Sequence, residues 1–312
     1  MGALLRAKGI ASEQVLIASG NVYRLPELPI PAFDHVMLYL PAFDVYTDPT
    51  ASYSSFAVLP EGSYGKPVLH ISDAGGRLAR TPPMKPDNHV SIARTTISIA
   101  SDGTVKGTTR QTGTGIFAET ARSMATQMQE QGREKFAENV LRNLDQPGTG
   151  VFEPAAPFDL TEPYMVQGEF SLNQKLPTPL IGSHRIPFGI PINLRPGLAL
   201  IGPRIEHRKS DFSCWAGKQV EEIEVVFAPG LALPRPIRGT TIDNRYFTFQ
   251  SRYRISGRTL TIRREFVSNV VGQVCAKEIE ADLTEPMERV LRSMRAQMTF
   301  QRSASNSDSE PQ

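Results

Sequence analysis

Alternating apolar and polar positions predict strands over much of the chain. Two short runs cover residues 33–40 and 45–48, and the intervening Pro41-Ala42-Phe43-Asp44 favours a turn. Two longer runs, at 90–100 and 104–112, flank an Asp-Gly pair, which is a strong hairpin signal. Further strands are expected at 164–172, 220–227, 245–255 and 258–267. The pattern therefore predicts a protein dominated by antiparallel strands.

Apolar residues at helical spacing predict two long helices in the second half of the chain. The first covers 115–144, and the second covers roughly 275–300, with Pro286 either starting its main part or kinking it. The first ten residues resemble the last turns of a helix that stops at Gly9, and no N-cap residue precedes them. We therefore expect a domain whose beginning lies before Met1.

Breaker residues suggest where the domains divide. Glycine and proline are dense over 58–88, which predicts a linker rather than a regular element. The expected division is a first domain at 1–57, a β-rich second domain at 89–302, and a polar, disordered tail at 303–312. Helices and strands that are mixed in this order indicate the α+β fold class.

Composition removes several classes of function. The chain has 312 residues with 34 Lys+Arg against 32 Asp+Glu, a net charge of +2, which gives no electrostatic case for a nucleic-acid partner. No apolar run approaches ~18 residues, so no membrane span is expected. Two cysteines, Cys214 and Cys275, allow at most one disulfide and do not make a zinc site by themselves.

The hairpin at 33–48 carries the clearest chemistry. If its turn is centred between Pro41 and Ala42, His35 lies directly opposite Asp48. A carboxylate bonded to an imidazole fixes its tautomer, as a general base serving a Ser or Cys nucleophile requires. The alternative is a solvated histidine and an aspartate that only caps the following turn. A one-residue shift of register would separate the two side chains.

Several short motifs occupy the first 67 residues. They are Gly20-Asn21-Val22-Tyr23, Leu25-Pro26-Glu27-Leu28-Pro29, Phe33-Asp34-His35-Val36, Asp48-Pro49-Thr50-Ala51, Phe56 to Pro60, and Gly65-Lys66-Pro67. Together they resemble the C-terminal half of the transglutaminase-like core in bacterial proteins that set this core between two β-rich domains of unknown function. The resemblance implies a truncated papain-like core, with an antiparallel sheet and a partial helix.

That resemblance also implies a mechanism. The family carries a Cys, His, Asp triad in chain order, which assigns His35 as general base and Asp48 as its orienting carboxylate. The family's cysteine lies in a Gly-Asp-Cys type motif before the position of Met1, together with part of the oxyanion hole. The implied activity is thiol acyl transfer or amide hydrolysis on protein or peptide substrates, without cofactor or metal, and inactive in this chain.

Further expectations come from the same resemblance. Relatives of this kind work in the periplasm or cell envelope. Without the helix that carries the nucleophile, the apolar residues around Val15 and Met37 would be exposed, so we expect residues 1–60 to be poorly stable alone. The alternative function is a non-catalytic β-sandwich interaction module of the bacterial cell envelope, formed by residues 89–300.

Other candidate residues have simpler interpretations. Ser213-Cys214-Trp215 faintly resembles the cysteine motif of papain-like proteases but lies downstream of the histidine and aspartate, and Cys275 is expected to be a buried, inert thiol. Gly113-Thr114-Gly115 predicts a turn and a helix entry rather than a phosphate site. The remaining histidines are too dispersed for zinc: His70, His89, His184 and His207.

Arginines on the predicted strands leave two readings open. Arg252, Arg254, Arg263 and Arg264 form either an ordinary solvated face or a face that binds an anionic glycan or phosphate.

Overall fold

The computed structural model describes residues 1–20, 33–72, 75–187, 209–272 and 274–301. The motif residues within 21–32, His207 and the tail at 303–312 lie outside the described residues.

A five-stranded antiparallel sheet forms the first part of the chain, in the order β3-β2-β1-β4-β5. Its strands are β1 Glu13–Ile17, β2 His35–Leu40, β3 Val45–Thr47, β4 Pro67–Ser72 and β5 Gly75–Arg80. The short helix α1, Gly2–Ala7, precedes them, and Gly9 follows it with a φ of 71°. The predicted helix stop at Gly9 is therefore confirmed.

The segment 58–88, predicted as a linker, contains two of these strands. β4 pairs with β1, and β5 pairs with β4, so the glycines and prolines of this segment flank strands instead of excluding them. The prediction was wrong in that respect because Gly75 and Gly76 open the edge strand β5, where breakers are tolerated. The domain limits at 57 and 89 stay a prediction.

A single eight-stranded sheet organises the second part, in the order β13-β14-β15-β12-β6-β7-β9-β8. Its strands are β6 Val90–Ile99, β7 Val105–Gly113, β8 Gly148–Pro154, β9 Tyr164–Leu172, β12 Gly217–Phe227, β13 Thr240–Asp243, β14 Phe247–Ser256 and β15 Thr259–Ser268. Among the described residues, only β6 and β12 pair in parallel. The predicted hairpins at 90–112 and 245–267 are both confirmed.

Two small sheets and three helices accompany this sheet in the described residues of the second part. They are β10 Gly182–Arg185 with β17 Gln297–Phe300, β11 Phe212–Ser213 with β16 Val274–Cys275, and the helices α2 Ile116–Gln131, α3 Arg133–Asn143 and α4 Ile279–Met294.

The helices differ from the two predicted ones at identifiable residues. Gly132, with a φ of 89°, separates α2 from α3, so the predicted helix at 115–144 is two helices. The last predicted helix ends at Met294 and is followed by strand β17. Pro286 lies within α4 and does not begin it.

The eight-stranded sheet has one buried face and one open face. Helices α2 and α3 and strand β17 cover the buried face, where Ile97, Phe152 and Ile262 belong to one apolar cluster. The other face presents polar side chains to solvent. Among the described residues the second part is thus a helix-covered sheet, and the β-sandwich of the alternative hypothesis is not formed.

The two parts of the molecule share an apolar core. Val15, Ile17 and Met37 of the first sheet are fully buried and belong to the same cluster as Phe117 and Phe266. The expectation that these strand positions are exposed was wrong, because the second part of the chain covers them. That residues 1–60 are poorly stable alone stays a prediction, since these positions would lose their cover without the second part.

Arg264 does not lie with the other strand arginines. Strand alternation places it on the buried side, where its side chain is 1% exposed and its Nη1 lies 2.7 Å from Glu221 Oε2. Arg252, Arg254 and Arg263 lie on the open face. Of the four arginines predicted to share one face of the sheet, three lie on the open face and Arg264 does not.

Cys214 and Cys275 form a disulfide that connects β11 to β16. Cys275 is buried, as expected, but it is not a free thiol, and no free cysteine is left in the chain. The cross-link closes a loop with a sequence separation of 61 residues, which contains β12 to β15.

We expect replacement of both cysteines by alanine to lower the free energy of unfolding by about 4 kcal/mol, because the loop-closure entropy returns to the unfolded state. Denaturant unfolding with and without reductant measures this. Reductant should destabilise the natural chain and leave the double variant unchanged. An equal response of both proteins to reductant would contradict the disulfide.

Candidate functional site

His35 and Asp48 are in direct contact. His35 begins β2, Asp48 follows the last residue of β3, and His35 Nε2 lies 2.6 Å from Asp48 Oδ2. The aspartate side chain is 3% exposed and the imidazole is 25% exposed. The carboxylate is thus held away from water while the ring keeps one accessible edge.

The register that creates this contact differs from the predicted one. Leu38 pairs with Thr47 and Leu40 with Val45, a shift of two positions, so Asp48 lies diagonal to His35 and not opposite it. A turn of 3-10 helix over Pro41–Phe43, followed by Asp44 in the left-handed region, lengthens the connection. A shift of two leaves both side chains on the same face of the sheet.

The second carboxylate oxygen of Asp48 stabilises the turn that follows. Asp48 Oδ1 accepts hydrogen bonds from the backbone N–H of Thr50 at 2.9 Å and from its hydroxyl at 2.7 Å. The two interpretations considered from the sequence, an orienting carboxylate and a turn cap, are therefore both true of the geometry. Rotation of the carboxylate away from His35 would break the turn.

The contact also determines which ring nitrogen is open. An ionised carboxylate accepts only, so Nε2 is assigned the proton and Nδ1 keeps its lone pair. In the part of the chain that the structure describes, Nδ1 makes no hydrogen bond. Nδ1 is therefore the atom of this pair that can accept a proton from another group.

Arg122 holds the chain segment just after Asp48. This fully buried residue of α2 donates hydrogen bonds to the carbonyls of Tyr53, Asp159 and Thr161, at 2.8 to 3.1 Å, and to the Ser55 hydroxyl at 3.3 Å. Its guanidinium also lies over the Tyr164 ring. The guanidinium thus fixes residues 53–55 of the first part onto the second part.

We expect Arg122→Met to lower the free energy of unfolding by roughly 2–4 kcal/mol, because several buried carbonyls lose their donor. Arg142→Met, at an exposed position of α3, is the matched control and should change it by less than about 0.5 kcal/mol. Denaturant unfolding of both variants checks this. An equal decrease in the free energy of unfolding of the two variants would contradict a structural role for Arg122.

The carboxylate of Glu119 lies close enough to Glu61 and to Asp48 to interact with both charges. Burial raises the pKa of Glu119, and the charges of Glu61 and Asp48 raise it further. Burial also raises the pKa of Glu61, which accepts a hydrogen bond from the Ser213 hydroxyl at 3.3 Å. Burial thus opposes ionisation of both Glu119 and Glu61.

His89 lies at the N-terminus of α2. Its Nδ1 accepts the backbone N–H of Ile116 at 3.3 Å, and the N–H of Gly115 donates to Glu162. The predicted turn and helix entry at 113–115 is confirmed. The backbone N–H groups of Gly115 and Ile116 at this helix end donate to side chains. Burial lowers the pKa of His89 to about 4.

The depressed pKa of His89 makes stability pH-dependent. The unfolded imidazole, with a pKa of 6.5, binds its proton at higher pH than the folded one, so stability falls as pH falls from 6.5 to about 4. The loss amounts to about 3 kcal/mol. His89→Gln keeps an acceptor for Ile116 and should make the free energy of unfolding less dependent on pH over this range. The control His184→Gln should leave the pH dependence unchanged.

Sequence reasoning did not identify Arg122, Glu119 or Glu61. A signal for Arg122 was present, since it lies between Ala118 and Ala125 on the buried face of α2, where a charged side chain needs internal partners. No comparable signal marks Glu61, because its burial depends on contact with Ser213, 152 residues away.

The other candidate residues lie apart from the pair. His70 is buried and bonded to Glu13 and Tyr46, and His184 lies near the Ile181 carbonyl. Within the described ranges no three His, Cys, Asp or Glu side chains are placed to hold a metal ion. Nor is any helix there both long and apolar enough to cross a membrane.

Comparisons with known proteins give one likeness. A solved structure from Parabacteroides distasonis, described as a "putative protease", matches 95% of this chain with a TM-score of 0.50 and 11% identity. The chain spans 41% of the length of that protein. No family model and no curated protein matches. The likeness supports a shared β-rich fold.

Proposed function

We propose that the chain is the base-carrying part of a transglutaminase-like enzyme that performs thiol acyl transfer or amide hydrolysis on protein or peptide substrates. The observation that carries the proposal is the contact of His35 with the buried Asp48, which leaves Nδ1 open. Support also comes from the motifs of the first 67 residues and from the fold shared with a protein described as a protease.

In the proposed reaction, Nδ1 of His35 removes the proton from a thiol, and the thiolate attacks the carbonyl carbon of an amide. The imidazolium, stabilised by Asp48, returns the proton to the departing nitrogen, which leaves as ammonia or an amine. Water or a second amine then attacks the thioester, gives its proton to Nδ1, and the thiol is regenerated. The choice of acceptor decides between hydrolysis and transfer.

The proposed thiol is neither Cys214 nor Cys275. Both belong to the disulfide, so neither has a thiolate to offer. The nucleophile of the proposal therefore comes from polypeptide outside residues 1–312.

The same disulfide favours an oxidising compartment. Structural disulfides persist in exported proteins and the bacterial periplasm and are rare in the cytosol. We therefore propose the periplasm or cell envelope as the site of action.

The test begins with the gene sequence upstream of the Met1 codon and continues with the protein that the whole reading frame encodes. We expect an in-frame Gly-Asp-Cys segment, and ammonia release or amine incorporation on a glutamine-containing protein. His35→Gln should lower kcat by about 10²–10⁴-fold, the usual contribution of a general base. Asp48→Asn, which keeps an acceptor for Thr50, should lower kcat without unfolding the turn.

His184→Gln is the matched control, and its activity should equal that of the natural protein. Full activity of His35→Gln would remove the histidine from the mechanism. A stop codon without an upstream cysteine motif would instead favour the second candidate, a non-catalytic interaction module. The broad polar face of the eight-stranded sheet is the observation in favour of that candidate.

A further inference from the structure

One row of side chains crosses the open face of the eight-stranded sheet at right angles to the strands. From β14 to β7, the directly paired positions are Arg252, Arg263, Glu222, Arg94 and Arg110. Four arginines and one glutamate give this arginine row a net charge of +3. Because neighbouring strands lie ~4.8 Å apart, the row extends for roughly 19 Å.

Glu222 compensates only the middle of the arginine row. Its carboxylate lies 2.8 Å from Arg94 Nε and 3.4 Å from Arg263 Nε. Arg263 Nη2 also lies 2.7 Å from Glu265 in the next row. Arg110 and Arg252, at the two ends, are exposed, and their side chains have no ion pair or hydrogen bond with any other described residue.

The pairing of the arginines is unfavourable without an added anion. Arg94 lies directly opposite Arg110, and Arg252 lies directly opposite Arg263. Like charges at directly opposed positions destabilise an antiparallel pair. Carboxylate or phosphate groups placed over the row would remove this repulsion and give Arg110 and Arg252 partners. Guanidinium groups suit such anions because their donors match two oxygens at once.

The surface beside the row is concave and rich in hydroxyl groups. A trough of about 630 Å³ is lined by Arg94 and Arg110 on one side and by Glu153, Gln167 and Glu169 on the other. An adjoining depression of about 680 Å³ adds further hydroxyls, and the charged side chains of Lys106, Glu134 and Glu138 line it as well. The hydroxyl side chains of the two hollows are Thr96, Ser98, Thr108, Thr149 and Ser171.

We propose that this open face binds an anionic glycan, with its carboxylate or phosphate groups on the arginine row and its hydroxyl groups in the trough. Glu153 and Glu169 repel anions, so the charged groups of the ligand lie toward β14 and its neutral hydroxyls lie toward β8. The threonine and serine hydroxyls both donate and accept, which matches sugar hydroxyls.

A peptide fits this face less well than a glycan. From β15 to β7 every strand of the row is paired on both sides, so a peptide backbone finds no strand edge there. An edge is open only at the end of the row, since β13 pairs with β14 over residues 248–251 among the described residues. The five positions of the row are all charged, so they offer the side chains of a peptide no apolar contact. This proposal does not depend on the chemistry of His35 and Asp48.

Binding of polygalacturonate, measured by isothermal titration calorimetry with the full chain, tests the proposal. The salt concentration should be about 150 mM, where weak long-range attraction is largely screened. We expect binding by the natural chain and a loss of about tenfold or more in affinity for Arg110→Gln/Arg252→Gln, since two charged contacts disappear. Neutral dextran should not bind.

The matched control is Arg6→Gln/Arg142→Gln, which removes the same charge from exposed helical positions and should bind like the natural chain. Thermal unfolding establishes that both double variants fold. If the Arg110→Gln/Arg252→Gln variant does not fold, the single variants Arg110→Gln and Arg252→Gln are measured in its place. Equal losses in test and control variants would overturn the proposal, since binding would then follow net charge. Binding of poly-glutamate without polygalacturonate would overturn it in favour of an acidic protein segment. No binding of polygalacturonate or of inorganic phosphate would also overturn it.

Discussion

The burial of one face of the five-stranded sheet against the second part of the chain is the constraint on which the candidate site depends. Val15, Ile17 and Met37 lie on that face and are fully buried in the shared core. His35 and Asp48 occupy the same face at its margin, which leaves the carboxylate dry and the imidazole partly open. Arg122 fixes the following loop to the same partner surface. The geometry of the pair thus depends on the whole molecule and not on the hairpin alone.

The sequence was sufficient for features that depend on local pattern. The Asp102-Gly103 pair predicted the β6–β7 hairpin, and the Ser256-Gly257 pair predicted the β14–β15 hairpin. The pairing of His35 with Asp48 was also foreseen, although its register was not. Face selection repeats every two residues, so a two-residue error in the turn preserved the contact. The sequence does not show that the backbone of Asp44 adopts the left-handed conformation that lengthens this turn.

Features that depend on distant contacts were not readable. The apolar periodicity of 115–144 continues across Gly132, and a single glycine can be tolerated within a helix, so the pattern did not decide whether the helix divides there. The pairing of the two cysteines required the proximity of β11 and β16, which no spacing rule supplies. Arg264 alternates onto the buried face, where Glu221 compensates its charge. Two consecutive arginines of one strand can therefore differ in environment, one exposed and the other buried. Which of them is buried depends on which face of the sheet each side chain takes.

The parallel pairing of β6 with β12 in the eight-stranded sheet has a consequence for the order of folding. It joins two antiparallel blocks, residues 90–172 and 217–268, each built from contacts that are close in sequence. Contacts of large sequence separation carry the greatest loop-closure entropy, so the junction of the blocks is expected to form late. Glu222 and Arg94 face each other across this junction. The arginine row is therefore assembled only when both blocks have docked, and a partly folded chain would display its charges separately.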